Sequence, residues 1–85
     1  MAYIIRFRPS AERQVDRLPA TVALRIMERI GALSDDPRPH GSKKLSAMQD
    51  AYRLRIGDYR VIYRVSDSDK VIWVVRVAHR GRAYE

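Results

Sequence analysis

The stretch from Tyr52 to the end of the chain, YRLRIGDYRVIYRVSDSDKVIWVVRVAHRGRAYE, leaves few folding options. Three apolar-rich runs are separated by two short polar turns, Gly57-Asp58 and Ser66 to Lys70, which is the pattern of an antiparallel meander. Arginines recur along it with matching parity: Arg53 and Arg55, Arg60 and Arg64, then Arg76 and Arg80. Side chains two apart on a strand share a face. The meander therefore predicts one apolar face and one face lined with guanidinium groups.

Register decides whether those arginines converge. A two-residue turn at Gly57-Asp58 sets Ile56 opposite Tyr59 and Arg55 opposite Arg60. Tyr52, Leu54 and Ile56 then share the core side with Tyr59, Val61, Tyr63 and Val65. A five-residue second turn, Ser66 to Lys70, sets Val65 opposite Val71. Trp73, Val75 and Val77 join the core side, and Arg76 and Arg80 fall beside Arg53, Arg55 and Arg60. A one-residue slip would expose the whole apolar set, so burial should pin the pairing. Like charges on facing strand positions are destabilising by roughly 0.2–1 kcal/mol per pair. Solvated surface arginines would explain a few of these residues, but such a cluster points to an anionic ligand that offsets the repulsion.

The first half reads as the support for this sheet. AYIIRFR, residues 2–8, alternates as a strand with Tyr3, Ile5 and Phe7 on one side and Ile4, Arg6 and Arg8 on the other. Pro9-Ser10 ends it, with Ser10 as N-cap of a helix near 11–18 whose apolar stripe is Ala11, Val15 and Leu18. Pro19 breaks that helix and opens a second, running to about Leu33. Val22, Ala23, Ile26, Met27, Ile30 and Leu33 form its apolar face, with Met27 read as core filler. SDDPRPHGS, residues 34–42, is a loop, and in KKLSAMQDA a connector is anchored by Leu45 and Met48. The expected order is β-α-α-β-β-β: an N-terminal strand, a two-helix hairpin and a three-stranded antiparallel meander. That is an α+β fold in a single domain over residues 1–85.

Charge and composition narrow the partners. Seventeen Lys and Arg against ten Asp and Glu give a net charge of +7, which favours polyanions. No segment is long and apolar enough to span a membrane, and no signal peptide is evident, so a cytoplasmic protein without a membrane partner is expected. The chain has no cysteine and two histidines, His40 and His79, which argues against a metal site or other cofactor. Gly57 and Gly81 are isolated turn residues rather than a phosphate loop, and no serine stands in a nucleophile elbow. What remains is the arginine face and the chain end. His79 alone reads best as a strand-end residue. An arginine at position 80 supplies a phosphate fork, and Tyr84 a ring that can stack on an unpaired base.

These residues carry a resemblance. FRPSAERQVDRLP, RIMERI, YRLRIGDYRVIYRV and VVRVAHRGRAY together resemble the RelE/ParE superfamily of toxin–antitoxin toxins over nearly the whole length. GDYRVIYRV followed by HR and a tyrosine four residues after that arginine resembles its RelE-like branch.

The resemblance implies a toxin that acts as a ribosome-dependent, metal-independent endoribonuclease on mRNA in the A site. The ribose 2′-OH would attack the adjacent phosphate. Carried over by motif, Arg60 would stabilise the phosphorane-like transition state and Arg80 the leaving 5′-oxygen. Tyr84 would orient the base or accept the 2′-OH proton. Arg53, Arg55, Lys43, Lys44, Arg76 and His79 would bind RNA phosphate or the ribosome. The sequence departs from the best-studied members in carrying arginine at 53 and 55 where they carry lysine, and arginine cannot serve as a general base. Tyr84, His79, Lys43, Lys44 or the ribosome would then have to handle the proton. The implied partners are a neutralising antitoxin with an acidic or amphipathic segment, in a hetero-oligomer, and the ribosome with its mRNA and 16S rRNA. The alternatives are a ParE-like inhibitor of DNA gyrase without enzymatic activity, and a basic RNA-binding module without cleavage.

Overall fold

In the computed structural model, which describes residues 2–79, seven elements follow one another. They are β1 (Ile4–Phe7), α1 (Pro9–Asp16), α2 (Ala20–Ala32), β2 (Ser42–Leu45), β3 (Ala51–Ile56), β4 (Tyr59–Ser66) and β5 (Val71–His79). The strands form one sheet in the order β1-β5-β4-β3-β2. β1 runs parallel to β5, and every other pair is antiparallel. The α+β class and the strand-helix-helix-meander order hold, with one strand more than the sequence suggested.

Local chemistry explains where α1 begins. The Arg8 N–H still donates to the Val74 carbonyl at 2.9 Å, continuing the β1–β5 ladder. Pro9 has no N–H to add, and its fixed φ suits a first helical turn, so the strand ends and the helix starts there. Ser10 is therefore inside the helix rather than capping it; the N-cap is Arg8, without a side-chain hydrogen bond. Pro19 stands at the N-cap of α2, one place before its expected position. Ile26 and Ile30 point inward from α2, whereas Met27 is 41% exposed and is not core filler. The Ser34 hydroxyl and the Tyr3 backbone tie the end of α2 to the start of β1, at 2.7 and 2.8 Å.

The helices cover one side of the sheet. Ala11, Ile26, Ile30 and Leu33 form one apolar cluster with Leu54, Ile56, Val61, Tyr63, Val65, Ile72, Val74 and Val77. Tyr63 is fully buried, and its hydroxyl donates to the Pro37 carbonyl at 2.8 Å. No helix among the described residues is long and apolar enough to cross a membrane.

Two pairings differ from the expected register. The sequence predicts a loop up to Ser42 and a connector from Lys43; the Ser-Lys-Lys-Leu run is instead an edge strand paired on one side by β3, so it has no burial periodicity to betray it. Leu45 belongs to this strand, and Met48 beyond it stays 37% exposed. The β4–β5 turn is one residue shorter than expected, and Val65 pairs with Ile72 rather than Val71. Ile72 and Val74 consequently face the core, and Trp73 faces the other way. The shift is undone further on. Ile62 pairs with Arg76 but Tyr63 with Val74, which makes Val75 the extra residue of a β-bulge. Beyond it Val77 returns to the core opposite Val61. β1 stops short of this part of β5, and the Val77 N–H instead donates to the Gln14 Oε1 of α1 at 2.7 Å.

Candidate nucleic-acid interface

The face away from the helices is built row by row from the strand register. Lys43, Arg53, Ile62 and Arg76 are successive cross-strand partners over β2, β3, β4 and β5. The next row holds Arg55, Arg60 and Ala78. On the other side lies a row of Ala51, Arg64, Trp73 and Arg6. With strands about 4.8 Å apart, Arg60 has Arg55 directly beside it and Arg53 and Arg76 on its diagonals. Ala78, its other direct partner, carries only a methyl group. The Nε atoms of Arg60 and Arg76 are buried in the face, which seats these side chains on the sheet.

Five of the residues singled out in the sequence thus come together: Lys43, Arg53, Arg55, Arg60 and Arg76. Arg76 arrives there because of the bulge, since simple alternation from Val74 would have turned it into the core. Lys44 does not join them; it pairs with Tyr52 and belongs to the opposite side of the sheet. His79 pairs with Tyr59, with the two rings edge to face at 5.3 Å, and it is an exposed strand-end residue as expected. Arg80 and Tyr84 lie outside the described residues. Among the described residues, no group of three or more His, Cys, Asp and Glu could hold a metal ion.

Three further features escaped sequence reasoning. Arg17, at the C-cap of α1, shares a cavity of about 350 Å³ with Gln14, Arg76 and His79. Trp73 lies on the basic face with the Arg8 guanidinium 4.6 Å from its ring centroid. The third is a clasp at the sheet's end. Arg38 forks onto Asp67, with Nη2 to Oδ2 at 2.8 Å, and its Nε donates to the Tyr52 hydroxyl at 2.8 Å. The Tyr3 hydroxyl donates to Asp67 Oδ1 at 2.6 Å. The Arg38 bonds hold the Asp67 carboxyl below its usual range, with Tyr3 helping, and Asp67 in turn raises the Arg38 guanidinium. The clasp joins the loop after α2 to the residue just before β1, to β3 and to the β4–β5 turn.

Such a face can bind phosphate and stabilise charge that develops on it. Donors fixed on strands need no reorganisation when the charge appears. Comparison with known proteins gives the arrangement its lineage. Residues 5–84 match the family described as the ParE toxin of a type II toxin–antitoxin system, parDE. The chain belongs to the RelE/ParE toxin family. Its relatives lie in the RelE-like branch. It is 31% identical to toxin RelG of Mycobacterium tuberculosis over 99% of this chain and 98% of that one. It is 32% identical to the mRNA interferase toxin RelE of Escherichia coli, over 98% and 88% of the two chains. The archaeal RelE–RelB complex of Pyrococcus horikoshii contains a chain superposing with a TM-score of 0.84. That chain is 35% identical, with 98% of this chain and all of that one covered. The family's sheet and helix layout is the one described above.

Proposed function

We propose that the protein is a toxin that inhibits translation by cutting mRNA on the ribosome, neutralised by a RelB-like antitoxin. The observation that carries this reading is the gathering of Arg53, Arg55, Arg60 and Arg76 on one open face of a RelE-like chain. In the proposed reaction the ribose 2′-oxygen attacks the adjacent phosphorus as its proton leaves. The bond from phosphorus to the 5′-oxygen breaks, and that oxygen takes up a proton. The products are a 2′,3′-cyclic phosphate and a free 5′-OH. Arg60, flanked by arginines on one side and by Ala78 on the other, is assigned to the charge on the transferring phosphate. Arg80 and Tyr84 are assigned by motif to the leaving oxygen and to the base or the 2′-OH proton.

Arg53 and Arg55 hold phosphate and do not move protons. Of the lysines, only Lys43 is on this face, so Lys43 and Tyr84 are the groups to test for proton transfer. An antitoxin segment rich in carboxylates suits the same face when RNA is absent. The family description that names ParE supports a second reading, a non-enzymatic inhibitor of DNA gyrase.

Primer extension on mRNA held in ribosomes tests these assignments. Breaks within A-site codons are expected from the unsubstituted protein. Arg60→Ala should reduce them about 100- to 1,000-fold, the usual cost of one transition-state donor. Full activity in the variant would remove Arg60 from the mechanism. An absence of breaks from folded, unsubstituted protein, together with gyrase-dependent cleavage of supercoiled DNA, would replace the nuclease reading with the second one.

A further inference from the structure

The arginine face does not stop at Arg60 and Arg76. It continues along β4 and β5 to Arg64 and Trp73, cross-strand partners, and across β5 to Arg6 on β1. Trp73 is half-buried there, with the exposed side chain of Arg8 over its ring. An indole among arginines, on the side of the sheet that carries no core, forms an aromatic platform within a phosphate-binding surface. It opens onto a cavity of about 380 Å³ lined by Arg8, Arg64 and Trp73 together with Asp50, Ser66 and Asp67. The arginine side of this cavity is held in place, since Arg64 Nε donates to the Gln49 carbonyl at 3.2 Å. So is the acidic side, where the Val65 N–H donates to the Asp50 carbonyl at 3.0 Å.

Taking this face to be RNA-directed, as above, we propose that the Trp73 cavity binds one unpaired nucleotide of the strand. Its base stacks on the indole and its phosphate lies between Arg64 and Arg8. Strands rise about 3.3 Å per residue, which puts this nucleotide roughly 10 Å from the Arg60–Arg76 cluster and outside the bond that is cut. Arg8 is long and exposed, so it can slide off the ring to admit a base and then stack on its outer side. The two carboxylates differ. Asp67 is already engaged by Arg38 and Tyr3. That leaves Asp50 to accept from an exocyclic amino group, as carboxylates do from cytosine N4. Uracil has the O4 carbonyl oxygen in place of that amino group, an acceptor facing a carboxylate, and should fit worse.

Trp73 is the chain's single tryptophan, so its emission reads the site directly. The test titrates six-residue oligocytidylate and oligouridylate into the intact protein. Oligocytidylate should change the emission saturably and at lower concentration than oligouridylate. The double substitution Arg8→Ala, Arg64→Ala should raise the half-saturating concentration about 10-fold or more. With a labelled oligonucleotide read by anisotropy, Trp73→Phe should bind nearly as the unsubstituted protein does. Trp73→Ala should bind about 5- to 100-fold more weakly, the usual range for loss of one stacked base. Unchanged emission with either oligonucleotide would overturn the site, as would an equal response from the double variant. A response to hexaglutamate in place of RNA would also overturn it, making the cavity a seat for an acidic protein segment. Cutting of ribosome-held mRNA, measured in parallel, separates the two claims. Cutting without an emission change leaves the nuclease reading and removes the site; an emission change without cutting does the reverse.

Discussion

On the helix side of the sheet, Leu54, Val61, Tyr63 and Val74 are almost wholly buried. The same strands carry Arg53, Arg60, Arg64 and Arg76 on the other side. The first face is selected by the free energy of removing apolar surface from water, and its residues support one another. The second works against stability at one pairing at least, because Arg55 and Arg60 stand directly opposite each other and like charges at facing positions repel. β5 has to serve both. Its run of nearly continuous apolar residues does so through the bulge at Val75, which keeps Val74 and Val77 inside while Arg76 is turned out. A regular strand of the same sequence would have had to bury the arginine or expose the valine. The sheet's irregularity is thus what lets the stabilising and the charged faces share one strand.

Substitutions on the two faces should differ in sign as well as size. Tyr63→Ala removes a fully buried ring from the core and should cost about 3–5 kcal/mol in urea unfolding. Gln14→Ala deprives the Val77 N–H of its acceptor beside the bulge. About 1–3 kcal/mol should be lost, and faster hydrogen exchange at Val77 would locate the effect. Arg55→Glu should reverse the pattern. It replaces a like-charge pair with an attractive one and should stabilise the fold by up to about 1 kcal/mol, while RNA binding weakens. A loss of stability in that variant would mean that the arginine face contributes to folding after all.

The smallest effect belongs to the clasp. Asp67 has a lowered carboxyl, so its contribution is complete above the ordinary value near 3.8 and is lost as pH falls through the lower folded value. Urea midpoints of the unsubstituted protein and of Asp67→Asn should therefore differ at pH 7 and converge in acid.

What could be read in advance depended on how many constraints each segment carried. The β3–β4 pairing was readable because Gly57 takes a positive φ of 59° in a two-residue turn and because burial alternates on both strands. It brought Arg53, Arg55 and Arg60 together correctly. The β4–β5 pairing held two departures of opposite effect, a shorter turn and a bulge. Arg76 and Val77 therefore landed on the expected faces, while Trp73, Val74 and Val75 between them did not. β2 was invisible because an edge strand of Ser, Lys, Lys and Leu shows no apolar alternation. Lys43 and Lys44 consequently looked equivalent, and only one of them faces the arginines. The clasp joins residues from distant parts of the chain, and no local spacing announces it.

The parallel pairing of β1 with β5 sets a clock on the molecule. Ile4 finds its partner at Val71, so nearly the whole chain must be synthesised before the first strand has anything to pair with. The β3–β4 and β4–β5 hairpins close over short loops and can form early, whereas the β1 edge bears the loop-closure entropy of almost the full length. The arginine surface would then be assembled before the sheet is complete, with the N-terminal strand docking last. Pulse-labelled hydrogen exchange during refolding should protect the Ile4 amide, which donates to the Lys70 carbonyl, later than the amides of β4.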